Sequence, residues 1–349
     1  MNKILHKPRR LAPGDRIATV SPSWGGPGTF PHRYEAGKRQ LEAAFGVEVV
    51  EMPNTLAPDD WIARNPQARA DDLMAAFADP SIAGIFATIG GDDSIRLLPW
   101  LDLDVIRANP KVFLGFSDTT SLHLACHAAG LTSFYGPSIM AGIAENCGMH
   151  GYTMDGLRKA LFSAEPIGTI ARNEEGWTSE LLDWADPALQ ARRRTMQTAD
   201  APRLLQGNGT VTGPLLGGCF EVLEMVKGTP WWPDATAWNG AIMFLETSEE
   251  APAPALVRRW LRNYAASGIL GNLSGLLIAR ADTRGDPTYQ AAIEDAALAA
   301  LDEAGLRDLP VLAGLDFGHT QPMLTLPYGV LARIDCNAAT LTVLESGVS

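Results

Sequence analysis

Roughly the first 130 residues alternate short apolar runs with longer amphipathic stretches, and this alternation restricts the fold more than any other feature of the chain. Strands that alternate with helices of this length form a parallel sheet that is covered by helices on both faces. Runs typical of strands are 16–20, 47–52, 84–89 and 112–115, and apolar residues have helical spacing at 33–45, 66–77 and 119–129. Because functional loops follow the carboxyl ends of parallel strands, we expect such loops at 21–28, 90–94 and 116–120.

The pattern changes after residue 165, and 349 residues are enough for two domains, since single cores stop growing near ~250–300 residues. Residues 173–198 form a polar, tryptophan-containing segment that we interpret as a long surface loop, and loops of this size are usually functional lids or disordered. We predict domains at 1–165 and 207–349, joined by a linker and mobile substrate loop at 166–206. The second domain is predicted to contain a glycine-rich turn at 213–218, strands at 241–245 and 273–278, helices at 221–227, 257–265 and 287–304, and a β-hairpin at 330–344.

Charge and cysteine usage argue against several classes of protein. The chain carries 28 basic and 40 acidic residues, a net charge of -12, and so acidic a surface repels nucleic-acid polymers and anionic membrane surfaces. The sequence contains neither the apolar core of a secretory signal nor the ~20 apolar residues of a membrane helix. Its four cysteines lie far apart and form no zinc-binding pair. We therefore expect a cytoplasmic protein with reduced thiols and a small-molecule substrate, and neither a metal nor a cofactor.

The stretch 112–120, Val-Phe-Leu-Gly-Phe-Ser-Asp-Thr-Thr, carries the strongest chemical signal. An apolar strand runs through Gly115 and Ser117 straight into a helix, which is the layout of a nucleophile elbow. The helix N-terminus behind the serine offers N–H groups to a developing oxyanion. However, the fifth position of the G-x-S-x-G pattern is Thr119, and Ser117 or Asp118 could instead simply cap the helix. The segment alone does not decide between a nucleophile and a cap.

A catalytic serine needs a base, and the chain has six histidines. His319 lies in a polar loop after the apolar run 311–315, preceded by a glycine and soon followed by a proline, and such loops often carry catalytic residues. His123 competes by proximity, because it lies in the helix that follows Ser117. A side chain on that helix points away from the tip of its N-terminus, so we favour His319 as the base.

The base in turn needs a carboxylate that fixes its tautomer. Glu246 ends the buried run 242–245 and is the favoured candidate, although it could equally be the first exposed residue after a strand. Asp316, three residues before the favoured histidine, is a weaker candidate. Glu249 and Glu250 are expected to be solvated.

In their order along the chain these segments resemble the LD-carboxypeptidase family of serine peptidases, and its microcin C immunity (MccF-like) branch in particular. The resemblance extends over almost the whole chain. It implies an α/β protein with a flavodoxin-like parallel-sheet N-terminal domain that carries the serine and a β-rich α/β C-terminal domain that carries the glutamate and histidine. It also implies an active site at the domain junction and a homodimer. The matching segments are 13–17, 69–80, 89–94, 115–118, 217–218, 244–246 and 318–322.

Carried over to this chain, the resemblance makes Ser117 the nucleophile, His319 the general base and then the general acid, and Glu246 the partner that orients the histidine. The oxyanion hole would consist of the backbone N–H groups of Gly91 and Asp118. Loss of one such donor typically lowers a rate by ~10²–10³. The resemblance therefore implies a serine hydrolase that cleaves an amide-type bond.

The turn that contains Gly90 and Asp92 favours the immunity branch. The muropeptide branch usually has an arginine before the glycine pair and a tyrosine soon after it, and residues 88–94 contain neither. The immunity branch cleaves aminoacyl-nucleotide conjugates, and an aromatic residue of a mobile loop stacks on the base. Trp177 or Trp184 is therefore expected to bind the nucleobase, while Gly90 and Asp92 would bind substrate near the nucleophile.

Two departures from the family pattern concern the substrate pocket. Cys219 stands where many relatives have asparagine after the glycine pair, and residues 279–282 begin with alanine where glycine is frequent. The main alternative function is an LD-carboxypeptidase that trims muropeptide tetrapeptides during cell-wall recycling. A third hypothesis is a protein without catalytic activity that sequesters an anionic ligand.

Overall fold

The computed structural model describes residues 5–283 and 285–349. Its strands, numbered in chain order, are β1 (Arg16–Val20), β2 (Glu48–Glu51), β3 (Ile82–Ala87), β4 (Val112–Gly115), β5 (Phe134–Tyr135), β6 (Gly168–Thr169), β7 (Arg203–Gln206), β8 (Thr210–Cys219), β9 (Ile242–Glu246), β10 (Gly275–Ala279), β11 (Val311–Leu315), β12 (Leu326–Pro327), β13 (Leu331–Asp335) and β14 (Thr340–Val343). The α-helices are α1 (Gly26–Thr29), α2 (Pro31–Phe45), α3 (Asp59–Arg64), α4 (Pro66–Ala78), α5 (Leu103–Ala108), α6 (Thr120–Ala129), α7 (Gly151–Leu161), α8 (Phe220–Val226), α9 (Pro254–Ala266), α10 (Ile269–Asn272) and α11 (Tyr289–Glu303). Four 3₁₀ helices of the described chain cover Ser94–Trp100, Ser117–Thr119, Pro187–Ala191 and Ala235–Trp238.

The N-terminal part forms the parallel sheet that the alternation predicts. Its order is β12-β5-β4-β3-β1-β2, and the pairs are parallel except for β12, which runs antiparallel to β5. The four strands predicted from apolar runs are all present, with β3 displaced two residues toward the N-terminus. The side chains of β1, β3 and β4 are largely buried on both faces, as expected for strands covered by helices, whereas the edge strand β2 is partly exposed.

The C-terminal part builds a second sheet, in the order β6-β14-β13-β8-β9-β10-β11-β7. Strands β8 to β11 are parallel, and antiparallel strands flank them on both sides. The hairpin predicted at 330–344 is found as β13 and β14. Together the two sheets confirm the α/β fold class. The segment 166–206, predicted as linker and loop, begins and ends with short strands, β6 and β7, that pair with this second sheet.

One local prediction is wrong: the glycine-rich segment at 213–218 is not a turn but lies inside the ten-residue strand β8. The reason is the close approach of the neighbouring backbone. A Cβ atom on Gly213 would lie 1.9 Å from the carbonyl oxygen of Gly240, and one on Gly217 would lie 1.8 Å from that of Phe244. These glycines therefore allow β8 to pack against the chain beside it rather than to reverse direction.

The long polar segment at 173–198 is largely irregular, as predicted, but it is anchored. Trp177 and Gln197 pair at its base, and Arg194 forms an ion pair with the buried Glu145. In the described part of the chain no helix is long and apolar enough to cross a membrane.

Candidate active site

Ser117 occupies a strained backbone position directly after β4. Its φ angle is +61°, which is uncommon for a residue other than glycine and is the mark of a nucleophile elbow. The capping role that the sequence left open is not observed. Thr119 is the N-cap residue of α6 and makes no side-chain cap, and the side chain of Asp118 bonds to a different loop. The hydroxyl of Ser117 is turned toward the second sheet instead.

There the hydroxyl meets an imidazole. Nε2 of His319 lies 3.0 Å from Oγ of Ser117, and Nδ1 lies 2.7 Å from Oε2 of Glu246. Ser117 follows a strand of the first sheet, whereas Glu246 ends β9 and His319 follows β11 in the second. The carboxyl ends of strands from both sheets thus bring serine, histidine and glutamate into one hydrogen-bonded row, the geometry required for proton transfer from a nucleophile to a base.

The competing histidine, His123, is a structural residue. Its ring nitrogens lie 2.9 Å from the carbonyl oxygen of Gly115 and 2.9 Å from the hydroxyl of Ser133. Burial lowers the pKa of His123 to about 3, so the ring is neutral. Through its hydrogen bond to Gly115 it supports the loop that carries the nucleophile. Asp316, the weaker candidate for the acid, forms an ion pair of 2.9 Å with Arg280.

A residue that the sequence did not single out, Tyr135, closes the row into a ring. Its hydroxyl donates to Oε1 of Glu246 at 2.5 Å and accepts the backbone N–H of Ser117 at 3.0 Å. The side chain is fully buried. It therefore occupies the carboxylate oxygen that His319 does not use and fixes the strained backbone of the nucleophile. Its strand, β5, is two residues long, too short to stand out as a sequence signal.

The loop that contains Gly90 and Gly91 lies against the nucleophile. A Cβ atom on Gly90 would be 2.9 Å from Cβ of Ser117 and 3.5 Å from the backbone nitrogen of Asp118. The carboxylate of Asp118 accepts the backbone N–H of Ser94 at 2.7 Å, which ties this loop to the start of the helix. The two backbone segments expected to form an oxyanion hole are thus neighbours.

A cavity of about 740 Å³ opens over the row, a volume ordinary for a site that binds a small molecule. Of the residues predicted from sequence, Ser117, His319, Gly90, Gly91, Asp92, Trp184 and Cys219 line the cavity. Trp184 stacks on Trp24 with ring centroids 6.4 Å apart, and the guanidinium carbon of Arg33 lies 4.2 Å from its ring centre. The part of the wall formed by the polar loop and α2 therefore contains aromatic rings and the guanidinium groups of Arg33 and Arg194, together with the carboxylates of Glu180 and Asp183.

Trp177, the other tryptophan proposed to contact substrate, is not among the residues that line this cavity. It is 9% exposed and packs beneath Arg280, whose guanidinium carbon lies 5.4 Å from the ring centre. The sequence could not decide which tryptophan lines the cavity, because Trp177 and Trp184 lie seven residues apart in the same polar segment and no pattern distinguishes them.

Glu249 was expected to be solvated, and its side chain is 50% exposed. Its Oε2 nevertheless lies 3.1 Å from Nε2 of His319. Burial acts to lower the pKa of His319. The neighbouring carboxylates, Glu246 first and then Glu249 and Glu221, outweigh burial and raise that pKa to about 9. The imidazole is consequently protonated at neutral pH in the free protein. Within residues 5–283 and 285–349, no cluster of three or more side chains suited to hold a metal ion is found.

Comparison with known families agrees with this geometry. Residues 17–136 match the LD-carboxypeptidase N-terminal domain, and residues 212–334 match the LD-carboxypeptidase C-terminal domain. The two matches cover more than half of the chain and confirm the family resemblance seen in the sequence.

Individual relatives match over nearly their full length. The microcin C7 self-immunity protein MccF of Escherichia coli is 29% identical over 340 residues, which cover 97% of this chain and 96% of that protein. An MccF-like protein from Streptococcus pneumoniae, solved in complex with AMP, is 32% identical with a TM-score of 0.84, over 94% of this chain and 98% of that one. MccF in complex with aspartyl sulfamoyl adenosine is 29% identical with a TM-score of 0.87, over 99% of this chain and 100% of that one.

The first prediction concerns Tyr135. We expect Tyr135→Phe to lower the rate of labelling of Ser117 by a fluorophosphonate probe at least about tenfold, because Glu246 and the nucleophile's N–H each lose a buried partner. Tyr328→Phe is the matched control: this buried hydroxyl donates to the carbonyl oxygen of Gly217 and not to the row. Both variants should lose stability in urea, but only Tyr135→Phe should lose labelling rate. A labelling rate of Tyr135→Phe equal to that of wild type, or an equal loss in both variants, would contradict the assigned role.

The second prediction follows from the pKa of His319. Only the neutral imidazole can accept the serine proton, so the rate of fluorophosphonate labelling should rise about tenfold per pH unit up to about pH 9. Glu249→Gln removes one of the carboxylates that raise this pKa, and its profile should shift to lower pH. A midpoint near the ordinary histidine value of ~6.5 in both proteins would show that the carboxylates do not control the base.

Proposed function

The chain belongs to the LD-carboxypeptidase family of serine peptidases, and we propose that it hydrolyses an amide-type bond in a small acylated conjugate, an aminoacyl or peptidyl nucleotide. One observation carries the proposal. Ser117 and His319 of the hydrogen-bonded row with Glu246 line a cavity that Trp184 and Arg33 also line. The reacting group and a platform for a nucleobase thus share one cavity.

In the proposed mechanism Ser117 attacks the acyl carbonyl carbon while Nε2 of His319 takes the hydroxyl proton. The negative charge that develops on the carbonyl oxygen is stabilised by the backbone N–H groups of Gly91 and Asp118. His319, held by Glu246, then gives its proton to the departing amine, and the acyl-enzyme remains. Water, deprotonated by the same imidazole, hydrolyses this ester and restores the free hydroxyl.

The nucleotide end of the substrate would occupy the aromatic wall. Bases stack on indole rings with a gain of ~1–3 kcal/mol. The guanidinium of Arg33, which lies over the Trp184 ring, suits an anionic or sulfamoyl group. The solved complexes of the MccF-like protein with AMP and of MccF with aspartyl sulfamoyl adenosine support this placement by similarity. The homodimer and cytoplasmic location implied by the family resemblance stay part of the proposal.

The runner-up, trimming of muropeptide tetrapeptides, would use the same row of residues. The composition of the loop at 88–94, with neither arginine nor tyrosine, speaks for the nucleotide substrate. A protein that only sequesters ligand would have no need of the strained φ of Ser117 or of a base aligned with its hydroxyl.

The test compares wild type with Ser117→Ala on two substrates, an aminoacyl sulfamoyl adenosine and a muropeptide tetrapeptide. We expect the wild type to cleave the nucleoside conjugate and the variant to lose at least about 10³-fold in kcat, because the nucleophile is absent. Serine-dependent cleavage of the tetrapeptide alone would replace the proposal by the cell-wall function. Cleavage of the conjugate that persists in Ser117→Ala would refute the mechanism.

A further prediction concerns Trp184. Replacement by alanine should raise KM for an aminoacyl sulfamoyl adenosine at least about fivefold, because the stacking surface is lost, whereas Trp184→Phe should retain most of the affinity. A matched substrate with the ribose but without the base should not distinguish the three proteins. Equal KM values of wild type and Trp184→Ala for the adenosine conjugate would exclude stacking on this ring.

A further inference from the structure

The wall of the cavity beside the triad is acidic. Four carboxylates line it, and they come from three separate loops or helices: Glu221, Glu249, Glu250 and Asp282. The arginines that line the same cavity, Arg33 and Arg194, belong to α2 and to the polar loop, the side that also presents Trp184. Two carboxylates of the polar loop, Glu180 and Asp183, line that side as well, so charges of both signs are mixed there. Beside the triad, the described residues that line the cavity contribute carboxylates and, apart from His319, no cationic side chain.

Glu249 is the carboxylate closest to the chemistry. Its Oε2 lies 3.1 Å from Nε2 of His319, the nitrogen that is also 3.0 Å from Oγ of Ser117. A reacting carbonyl carbon must come within ~3–3.5 Å of that hydroxyl. Groups attached to that carbon consequently lie within reach of Glu249. Because the proposed function places the nucleotide leaving group at Trp184, the acyl group is the part left for Glu249.

A second carboxylate supports the first from behind. Oε1 of Glu221 accepts the backbone N–H of Ser248 at 2.8 Å and its hydroxyl at 2.6 Å, which fixes the loop that carries Glu249. Burial, together with the nearby carboxylate of Glu246, raises the pKa of Glu221. Asp282, 4% exposed, adds a further carboxylate to this wall. Several carboxylates in one wall favour a cation over an anion as the neighbouring part of a ligand.

An independent observation points to a ligand that donates hydrogen bonds. Gln321, two residues after His319, lines the same cavity and is 6% exposed. Its Oε1 atom has no hydrogen-bond partner in the described structure. A buried acceptor without a donor is unfavourable, and an N–H group of a bound substrate would satisfy it. The carboxylate of an acidic side chain has acceptors only and could not do so, whereas a cationic side chain or the α-ammonium group of the conjugate could.

From this distribution of charge we infer that the acidic wall is the acyl subsite and that it selects conjugates whose acyl group carries a cationic side chain, an ammonium or a guanidinium. The inference rests on the proposed function and adds its substrate class. It sets this chain apart from its relative MccF, which has been solved with aspartyl sulfamoyl adenosine and with glutamyl sulfamoyl guanosine. A cation bound to Glu249 would also replace the contact between Glu249 and Nε2 of His319, so that Nε2 interacts with Ser117 only.

The test measures binding to Ser117→Ala, so that it does not depend on turnover. The probes are lysyl, norleucyl and aspartyl sulfamoyl adenosine; norleucine has the four side-chain carbons of lysine without its ammonium group. We expect lysyl to bind about tenfold tighter than norleucyl, and aspartyl weakest, because charge-assisted pairs and like-charge repulsion act in opposite directions. Adding Glu249→Gln should reduce the lysyl preference to about threefold or less. Glu165→Gln, the same change of charge at an exposed position outside the cavity, should leave it unchanged.

Equal binding of the lysyl and norleucyl probes, or tighter binding of the aspartyl probe, would overturn the inference. A lysyl preference that survives Glu249→Gln in full would likewise remove Glu249 from the subsite. Turnover of the same probes by wild type is measured separately. If wild type cleaves the probes without a charge preference, the proposed function stands and the inference is refuted. If the probes bind according to charge but none is cleaved, the inference about the subsite stands and the proposed function is refuted.

Discussion

The hydrogen bond of 3.0 Å between His319 and Ser117 joins side chains from two different sheets, and the site exists only while those sheets keep their relative position. Catalytic groups must be held within ~0.5 Å of their working geometry. Several contacts at the junction supply this constraint. Thr120, at the start of the helix behind the nucleophile, accepts the backbone N–H of Cys219 at 3.1 Å. Strand β12, from the C-terminal part, extends the N-terminal sheet, and Tyr135 connects both ends of the row.

Much of this arrangement is predictable because it depends on local patterns. Apolar runs identify the strands, the carboxyl ends of parallel strands meet along one edge, and serine, glutamate and histidine each follow such a run. The positive φ of Ser117 likewise agrees with a strand that turns directly into a helix. His123 could be set aside by the direction in which a helical side chain points, and its buried hydrogen bonds agree with that argument.

What the sequence does not predict depends on contacts between distant segments. The glycines of β8 look like a turn because their function, to let backbone approach backbone, involves a strand some thirty residues away. Tyr135 is an ordinary core tyrosine until its hydroxyl is seen between Ser117 and Glu246. Glu249 resembles any carboxylate in an exposed loop. Its contact with His319 arises because β9 and β11, separated only by β10, end at the same edge of the second sheet.

The electrostatics of the site follow from the same placement. Two histidines flank the nucleophile loop, and burial lowers the pKa of His123 to about 3. The pKa of His319 is instead about 9, although burial acts on it in the same direction. The difference comes from carboxylates, and two of them, Glu246 and Glu249, belong to a single strand end. The segment that orients the base through Nδ1 therefore also places a negative charge against Nε2. Any group that neutralises Glu249 would lower the pKa of the base, so the proposed selection of a cationic acyl group and the protonation state of His319 both depend on one short loop.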